Sequence, residues 1–308
     1  MNESHDPAGA GPVAWVDGRL QPADAPALPV ADRAFLLGDG VFETLRVRRG
    51  VPIELHGHLR RLRAGLATLE IPLAWSDADV AAAITATVAV NAPADAAVRI
   101  TVSRGAPASR GAPASRGLLP AGWRDIRATL VVQAWPNPGV PAALLERGVR
   151  AIVSTARRDP ASPLAGVKTV SRAESVWSRL EADRAGADDA ISLTLDGHVA
   201  EATTASLALV IGDALRTPPL ATGVLAGTTR DWLLGVDGTA AVGLVAGEAA
   251  FGLEELLGAD EAILCSSVAG IVPLVEVDGR SIGDGRPGAW ARRLRDAREA
   301  WIVAQSGG

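Results

Sequence analysis

The stretch Pro136-Asn-Pro-Gly-Val-Pro141 constrains the fold of this chain more than any other. Three prolines and a glycine in so short a run can continue neither a helix nor a strand, so the segment reads as an interdomain linker. It parts the 308 residues near their middle. Each side then has the roughly 100–200 residues usual for one domain. The expected divisions are a disordered lead at 1–12, an N-terminal α+β domain at 13–135, the linker at 136–141 and a C-terminal domain at 142–308.

Before the linker, Asp17-Gly18 between apolar runs is a two-residue turn signal and predicts a hairpin over 13–20. Two glycines flank Asp39, which implies a close-packed backbone there. A strand ending at Val47, an Arg49-Gly50 turn and a strand over 51–55 follow. Leu59, Leu62, Leu66 and Leu69 fall at helical spacing, and Ser76 is a natural N-cap for a second helix reaching towards Val90. Strands are expected over 97–103 and 126–135. Between them Gly-Ala-Pro-Ala-Ser-Arg occurs twice, at 105–110 and 111–116, a composition suited only to an exposed loop.

After the linker, the pattern predicts strands over 149–154, 189–195, 207–211, 261–266 and 272–277, and helices over 171–185 and 288–303. Residues 223–230 read as a loop opening a helix. Strands and helices mix without strict βαβ alternation, so both domains are expected to be α+β.

Charge and cysteine content narrow the function. A net charge of −5, with arginines scattered among acids, disfavours a nucleic-acid partner. A single Cys265 excludes an internal disulfide and a multi-cysteine metal site, and the four histidines have no ligand spacing, so no metal is expected. No run approaches the ~18 apolar residues of a membrane span. The expectation is a cytoplasmic protein with no membrane partner. Gly279-Arg-Ser281-Ile-Gly283 matches a nucleophile motif in letters, but no histidine follows it, and it reads as a hairpin.

One residue stands out chemically. Lys168 is the only lysine of the chain; the other 29 of its 30 Lys and Arg residues are arginine. Guanidinium serves ion pairs and phosphate contacts at least as well, but it stays protonated, so the property that lysine adds is an amine able to act as a Schiff-base nucleophile.

Four stretches then occur in a telling order: Asp39-Gly-Val-Phe-Glu-Thr-Leu-Arg, His58-Leu-Arg-Arg61-Leu, Ser162-Pro-Leu-Ala-Gly-Val-Lys168, and Glu201 followed by Thr217-Pro-Pro and Leu225-Ala-Gly-Thr-Thr229-Arg. This series resembles the fold-type IV pyridoxal-phosphate enzymes, the class IV aminotransferase family, over residues from about 13 to 280. The resemblance implies a smaller N-terminal α/β domain and a larger C-terminal domain with a barrel-like sheet, the cofactor lying between them, in a homodimer acting on a small-molecule amino substrate. It also implies roles. Lys168 would form the internal aldimine and shuttle the proton, Arg61 would grip the cofactor phosphate, and Glu201 would face the pyridine nitrogen. Thr228, Thr229 and Ser267 would complete the phosphate cup, with Leu225 against the ring.

The same resemblance leaves the substrate open. Branched-chain and D-amino acid aminotransferases commonly place tyrosines near the substrate carboxylate, and this chain has no tyrosine. Phe42 stands where the D-amino acid enzymes tend to have one. Lys168-Thr-Val-Ser171-Arg172 is similar to the pattern of 4-amino-4-deoxychorismate lyases, with Ser171 in place of asparagine. Arg104, Arg116 and Arg172 are the candidates for substrate carboxylates, because an arginine fork matches a carboxylate. The leading expectation is therefore a lyase that releases pyruvate and 4-aminobenzoate. The alternatives are a transaminase for D-amino acids, branched-chain amino acids or (R)-amines, and a non-catalytic binding protein on the same fold.

Overall fold

The computed structural model describes residues 11–25, 27–92, 94–107, 117–119 and 122–307. The expected lead at 1–12, apart from Gly11 and Pro12, lies outside the described residues, as do Arg116 and most of the duplicated loop. The chain forms two compact units. One runs to Asn137 and includes Thr169–Ser171; the other comprises Pro138–Lys168 and Arg172 onward.

In the first unit, β1 (Val13–Val16) and β2 (Arg19–Pro22) form the expected hairpin. Asp17 and Gly18 both take positive φ, 43° and 97°, the primed turn that suits the twist of paired strands. Asp32 caps α1 (Arg33–Leu37), accepting from the Ala34 amide at 2.9 Å, and Gly38 ends it at φ 68°. Next come β3 (Gly40–Arg48) and β4 (Val51–Pro52), then α2 (Leu55–Thr68). The strand expected over 51–55 is thus cut short. Glu54 adopts φ 54°, which breaks the extended run and lets Leu55 open the helix instead. A Ser76–Asp79 capping box starts α3 (Asp77–Asn91), as its sequence predicts. β5 (Asp95–Ser103) and β6 (Thr129–Pro136) complete an antiparallel sheet of order β2-β1-β6-β5-β3-β4.

The second unit begins with α4 (Ala142–Arg147), β7 (Val149–Arg158) and α5 (Ala173–Arg184). Residues 171 and 172 stand outside the helix expected over 171–185. β8 (Asp189–Thr194), β9 (Val199–Ala202), β10 (Ser206–Ile211) and β11 (Ala214–Thr217) follow, then α6 (Thr228–Leu234) and α7 (Thr239–Val242). The unit ends with β12 (Val245–Glu248), α8 (Leu253–Leu257), β13 (Glu261–Ser266), β14 (Gly270–Val277), β15 (Arg280–Ser281) and α9 (Ala289–Gln305). The Gly-x-Ser-x-Gly letters fall on the β14–β15 hairpin, as expected.

These strands form a mixed sheet of order β12-β11-β10-β13-β14-β7-β8-β9, with β15 paired to β14. β9 also packs beside β10, so the sheet curls back on itself into the barrel-like form that the resemblance implies. Alternation along the strands fills two cores. Leu207, Leu209, Ala262, Leu264, Val272 and Leu274 face one core around Phe251 and Leu256. Ala208, Val210, Ile263, Cys265 and Ile271 face the other, which α6 and α9 cover through Trp232, Leu233, Ala291 and Leu294. Strands apolar on both faces read as continuous hydrophobic runs, which is why they were legible. Among the described residues no helix is long and apolar enough to cross a membrane, and no group of His, Cys, Asp and Glu is suited to a metal ion.

Candidate functional site

In the second unit, Lys168 ends a chain of tight turns and is half-buried. Gly166, at φ 74°, donates its amide to the Gly223 carbonyl at 3.2 Å, so the loop carrying the lysine is tied to the loop that leads to Leu225. The space at Gly223 is tight as well: a Cβ there would lie 3.2 Å from that of Ala165. Leu225 in turn donates its amide to Glu201 Oε2 at 3.1 Å. Glu201 stands on β9, and its Oε1 accepts from Arg158 at the end of β7. Two of the expected residues, Glu201 and Leu225, are therefore in direct contact, and the loop carrying Lys168 is tied to the loop that leads to Leu225.

Arg172 donates to the Thr203 carbonyl at 2.6 Å. Burial pulls its pKa below the usual arginine value, the Glu201 charge opposes that and the Arg158 charge reinforces it. An open cleft beside these groups is lined by Arg157, Arg158, Ser192, Glu201 and Thr203, with Glu174, Ser175 and Ser178 of α5.

A second cluster sits where α6 begins. The Thr228 and Ser267 hydroxyls lie 3.0 Å apart. Thr229 is 1 % exposed, and its Oγ1 is buried without a hydrogen-bond partner among the described residues. A buried hydroxyl left in this way is costly unless a ligand completes it. Hydroxyls from Thr228, Thr229 and Ser267, with the first-turn amides of α6, form a donor set that suits a phosphate. Arg230 braces that turn, donating to the Pro218 carbonyl at 2.8 Å and pairing with Glu248 on β12.

The first unit holds a third cluster. Glu43 on β3 is fully buried, and Arg61 on α2 forks onto it, Nε to Oε1 at 2.7 Å and Nη2 to Oε2 at 2.6 Å. His58, one turn earlier on α2, places Nδ1 2.8 Å from the same carboxylate. Burial pushes the Glu43 carboxyl up, but the bonds from Arg61 and His58 outweigh it and hold the pKa at about 2.

Phe42, also on β3, is 7 % exposed, and the Arg99 guanidinium carbon lies 3.8 Å from the centroid of its ring. Gly40 is close-packed, as the pair of glycines predicts: a Cβ there would meet the Val102 carbonyl at 2.4 Å.

Arg104 requires a correction. It was expected to bind a substrate carboxylate, yet it is 5 % exposed and its donors are already engaged. It forks onto Asp39 at 2.7 and 3.1 Å and donates to the carbonyls of Leu69 and Glu70 at 2.7 and 3.0 Å. Its role is to anchor the end of β5. Arg116 falls outside the described residues.

Sequence reasoning singled out neither Glu43, His58, Arg158 nor Arg99 as functional. Glu43 left a signal: Val41, Glu43, Leu45 and Val47 alternate on the buried face of β3, so a carboxylate occupies a core position. Arg158 left none, since its partner lies 43 residues away.

The profile of the family described as Amino-transferase class IV matches residues 40–277. A D-alanine aminotransferase of Bacillus licheniformis is 29 % identical over 291 residues, which cover 94 % of this chain and 97 % of the relative. The structure of a branched-chain aminotransferase from the thermophilic archaeon Thermoproteus uzoniensis, with norvaline, superposes with a TM-score of 0.82 at 25 % identity, covering 96 % of each chain. The 4-amino-4-deoxychorismate lyase of Pseudomonas aeruginosa gives 0.75 at 32 % identity, covering 92 % of this chain and 97 % of that one.

Proposed function

Because the chain belongs to the class IV aminotransferase family, we propose that Lys168 is the amine that holds its cofactor and moves the substrate proton. The family's cofactor is pyridoxal phosphate. When bound, it supplies a sink for the electrons left by a broken Cα–H bond. The rest of the chemistry falls to this chain. Glu201, paired with Arg158 and oriented by the Leu225 amide, would face the pyridine nitrogen. Arg61, Thr228, Thr229 and Ser267 would hold the phosphate, and Leu225 would pack on the ring. The partnerless hydroxyl of Thr229, among the described residues, and the clamped carboxylate of Glu201 support these assignments.

The reaction that these residues support best is the elimination of pyruvate from aminodeoxychorismate. With the cofactor bound and the substrate amine engaged in its place, Lys168 Nζ would take the proton from the ring carbon that bears the amine. The adjacent ring C–O bond would then break, enolpyruvate would leave with the electron pair and take up a proton to become pyruvate, and the ring would become the aromatic 4-aminobenzoate. The observation that carries this reading is Phe42. Buried under Arg99, in a chain without tyrosine, it offers no phenol to a substrate carboxylate, in contrast to the usual pattern of the aminotransferases. Arg172 is then the arginine for the substrate's carboxylate.

A transaminase for D-amino or branched-chain amino acids is the second reading, favoured by the 0.82 TM-score to a branched-chain enzyme and the full-length match to a D-alanine enzyme. There Lys168 would give the proton back, no group would leave the substrate, and a keto acid would be the product. A substrate panel separates the two. Pyruvate and 4-aminobenzoate from aminodeoxychorismate, with no keto acid formed from D-alanine or branched-chain amino acids, is the expected result. Keto acid formation with no pyruvate release from aminodeoxychorismate would overturn it.

The reading also includes a cytoplasmic homodimer. Phe35 and Leu36 of α1 and the nearby Leu118, joined through the bond from Arg33 to the Leu118 carbonyl, are exposed apolar surface suited to a second copy. The single buried Cys265 suits a reducing compartment.

A further inference from the structure

We infer that Glu43 is a positioning residue for the cofactor phosphate, acting through Arg61 by fixing the plane of its guanidinium. The inference rests on the reading of Arg61 as a phosphate ligand and adds a residue that this reading does not contain.

The position is an expensive one for a carboxylate. Val41, Leu45 and Val47, its neighbours on the same face of β3, are 2, 0 and 1 % exposed, and Glu43 itself is 0 % exposed. A charge is tolerated among such residues only when it is paired and hydrogen-bonded. Glu43 meets that condition with two residues one turn apart on α2, His58 and Arg61.

The pairing has a specific geometry. Arg61 commits Nε and Nη2, one whole edge of its fork, to the two oxygens of Glu43. Two parallel bonds remove the rotation that a long side chain would otherwise keep. Arg61 Nη2 also lies 3.4 Å from His58 Nδ1. Of the contacts at that nitrogen, the 2.8 Å one to the Glu43 carboxylate is the shorter, and a carboxylate only accepts, so the tautomer with the proton on Nδ1 directed at Glu43 is the one that satisfies it. His58 thus secures the carboxylate, and the carboxylate secures the arginine.

A purely structural role, pinning α2 to β3, predicts the same contacts. The two roles differ in what a missing phosphate does. If Glu43 acts through Arg61 on the phosphate, its loss weakens a phosphorylated cofactor and spares one without phosphate.

The test titrates the full-length apo-protein with pyridoxal phosphate and, separately, with pyridoxal, following the absorbance change on reaction with Lys168. The variants are Glu43→Gln, Glu43→Asp, Arg61→Gln and the Glu43→Gln/Arg61→Gln pair, each first checked for cooperative thermal unfolding. Glu43→Asp retains the buried charge but draws it back from Arg61, and it decides the matter if Glu43→Gln does not fold.

Expected are a rise of about tenfold or more in the Kd of pyridoxal phosphate for either Glu43 variant, the size of one charge-assisted hydrogen bond, a pyridoxal Kd within about twofold of wild type, and a double variant no weaker than Arg61→Gln alone. Equal weakening of both ligands, or a pyridoxal phosphate Kd unchanged in folded Glu43 variants while Arg61→Gln weakens it, would overturn the inference. An unchanged Kd in Arg61→Gln would instead overturn the reading of Arg61 on which it rests.

Discussion

Arg158, at the end of β7, donates to the Oε1 of Glu201 on β9, while the Leu225 amide closes on the other oxygen at 3.1 Å. A carboxylate so held is oriented from both sides, with a positive charge beside it. Arg158→Gln removes that charge but can still donate one bond. We expect kcat to fall about tenfold or more, on the scale of a charge-assisted bond of ~1.5–3 kcal/mol, with a smaller change in KM. Steady-state kinetics with the preferred substrate give the answer. An unchanged kcat would mean that Glu201 needs no such partner.

Thr229 gives a prediction with opposite signs for two states. Its Oγ1 is buried and unbonded among the described residues, so Thr229→Val removes an unsatisfied polar atom at little change in volume. Without cofactor the variant should be at least as stable as wild type, by up to ~1–3 kcal/mol. With pyridoxal phosphate it should bind more weakly, by about tenfold. Thermal unfolding with and without cofactor reads both. A variant destabilised without cofactor and unaltered in affinity would remove Thr229 from the phosphate cup.

Glu43 makes stability depend on pH. Burial alone would raise its pKa, but bonds from Arg61 and His58 bring it down from an ordinary 4.5 to about 2. Between those values the unfolded chain binds a proton that the native state refuses. The stabilisation, on the order of 3 kcal/mol, is therefore present in full above pH 4.5 and lost as pH falls towards 2. Denaturant unfolding across that interval should show a steeper fall for wild type than for Glu43→Gln. Parallel pH profiles for the two proteins would contradict the assignment of this pair.

Much of the frame was legible in advance because it rests on local chemistry. Asp17-Gly18 made its turn, Ser76 and Asp79 made their cap, and the strands with two buried faces showed as apolar runs. What escaped was set by one unusual backbone torsion and by distant parts of the chain. The strand over 51–55 gave way to α2 because Glu54 turned left-handed. Thr169–Ser171 belong with the first unit through the Val41–Thr169 bridge and the bond from Val170 to the Gly40 carbonyl, contacts that no local pattern encodes. The arginines were hardest. Each carries the same charge and the same fork, and only the carboxylates that folding delivers separate Arg104, consumed by Asp39, from Arg158, set on Glu201.

Lys168 offers the most direct test of the cofactor assignment. Because the chain has no other lysine, the mass of the intact protein after incubation with pyridoxal phosphate and borohydride reduction reports on a single side-chain amine. The expected result is one phosphopyridoxyl group per chain, mapped to Lys168 by peptide mass and absent from Lys168→Arg. A protein that gains no such group, or gains it equally in Lys168→Arg, would contradict the assignment.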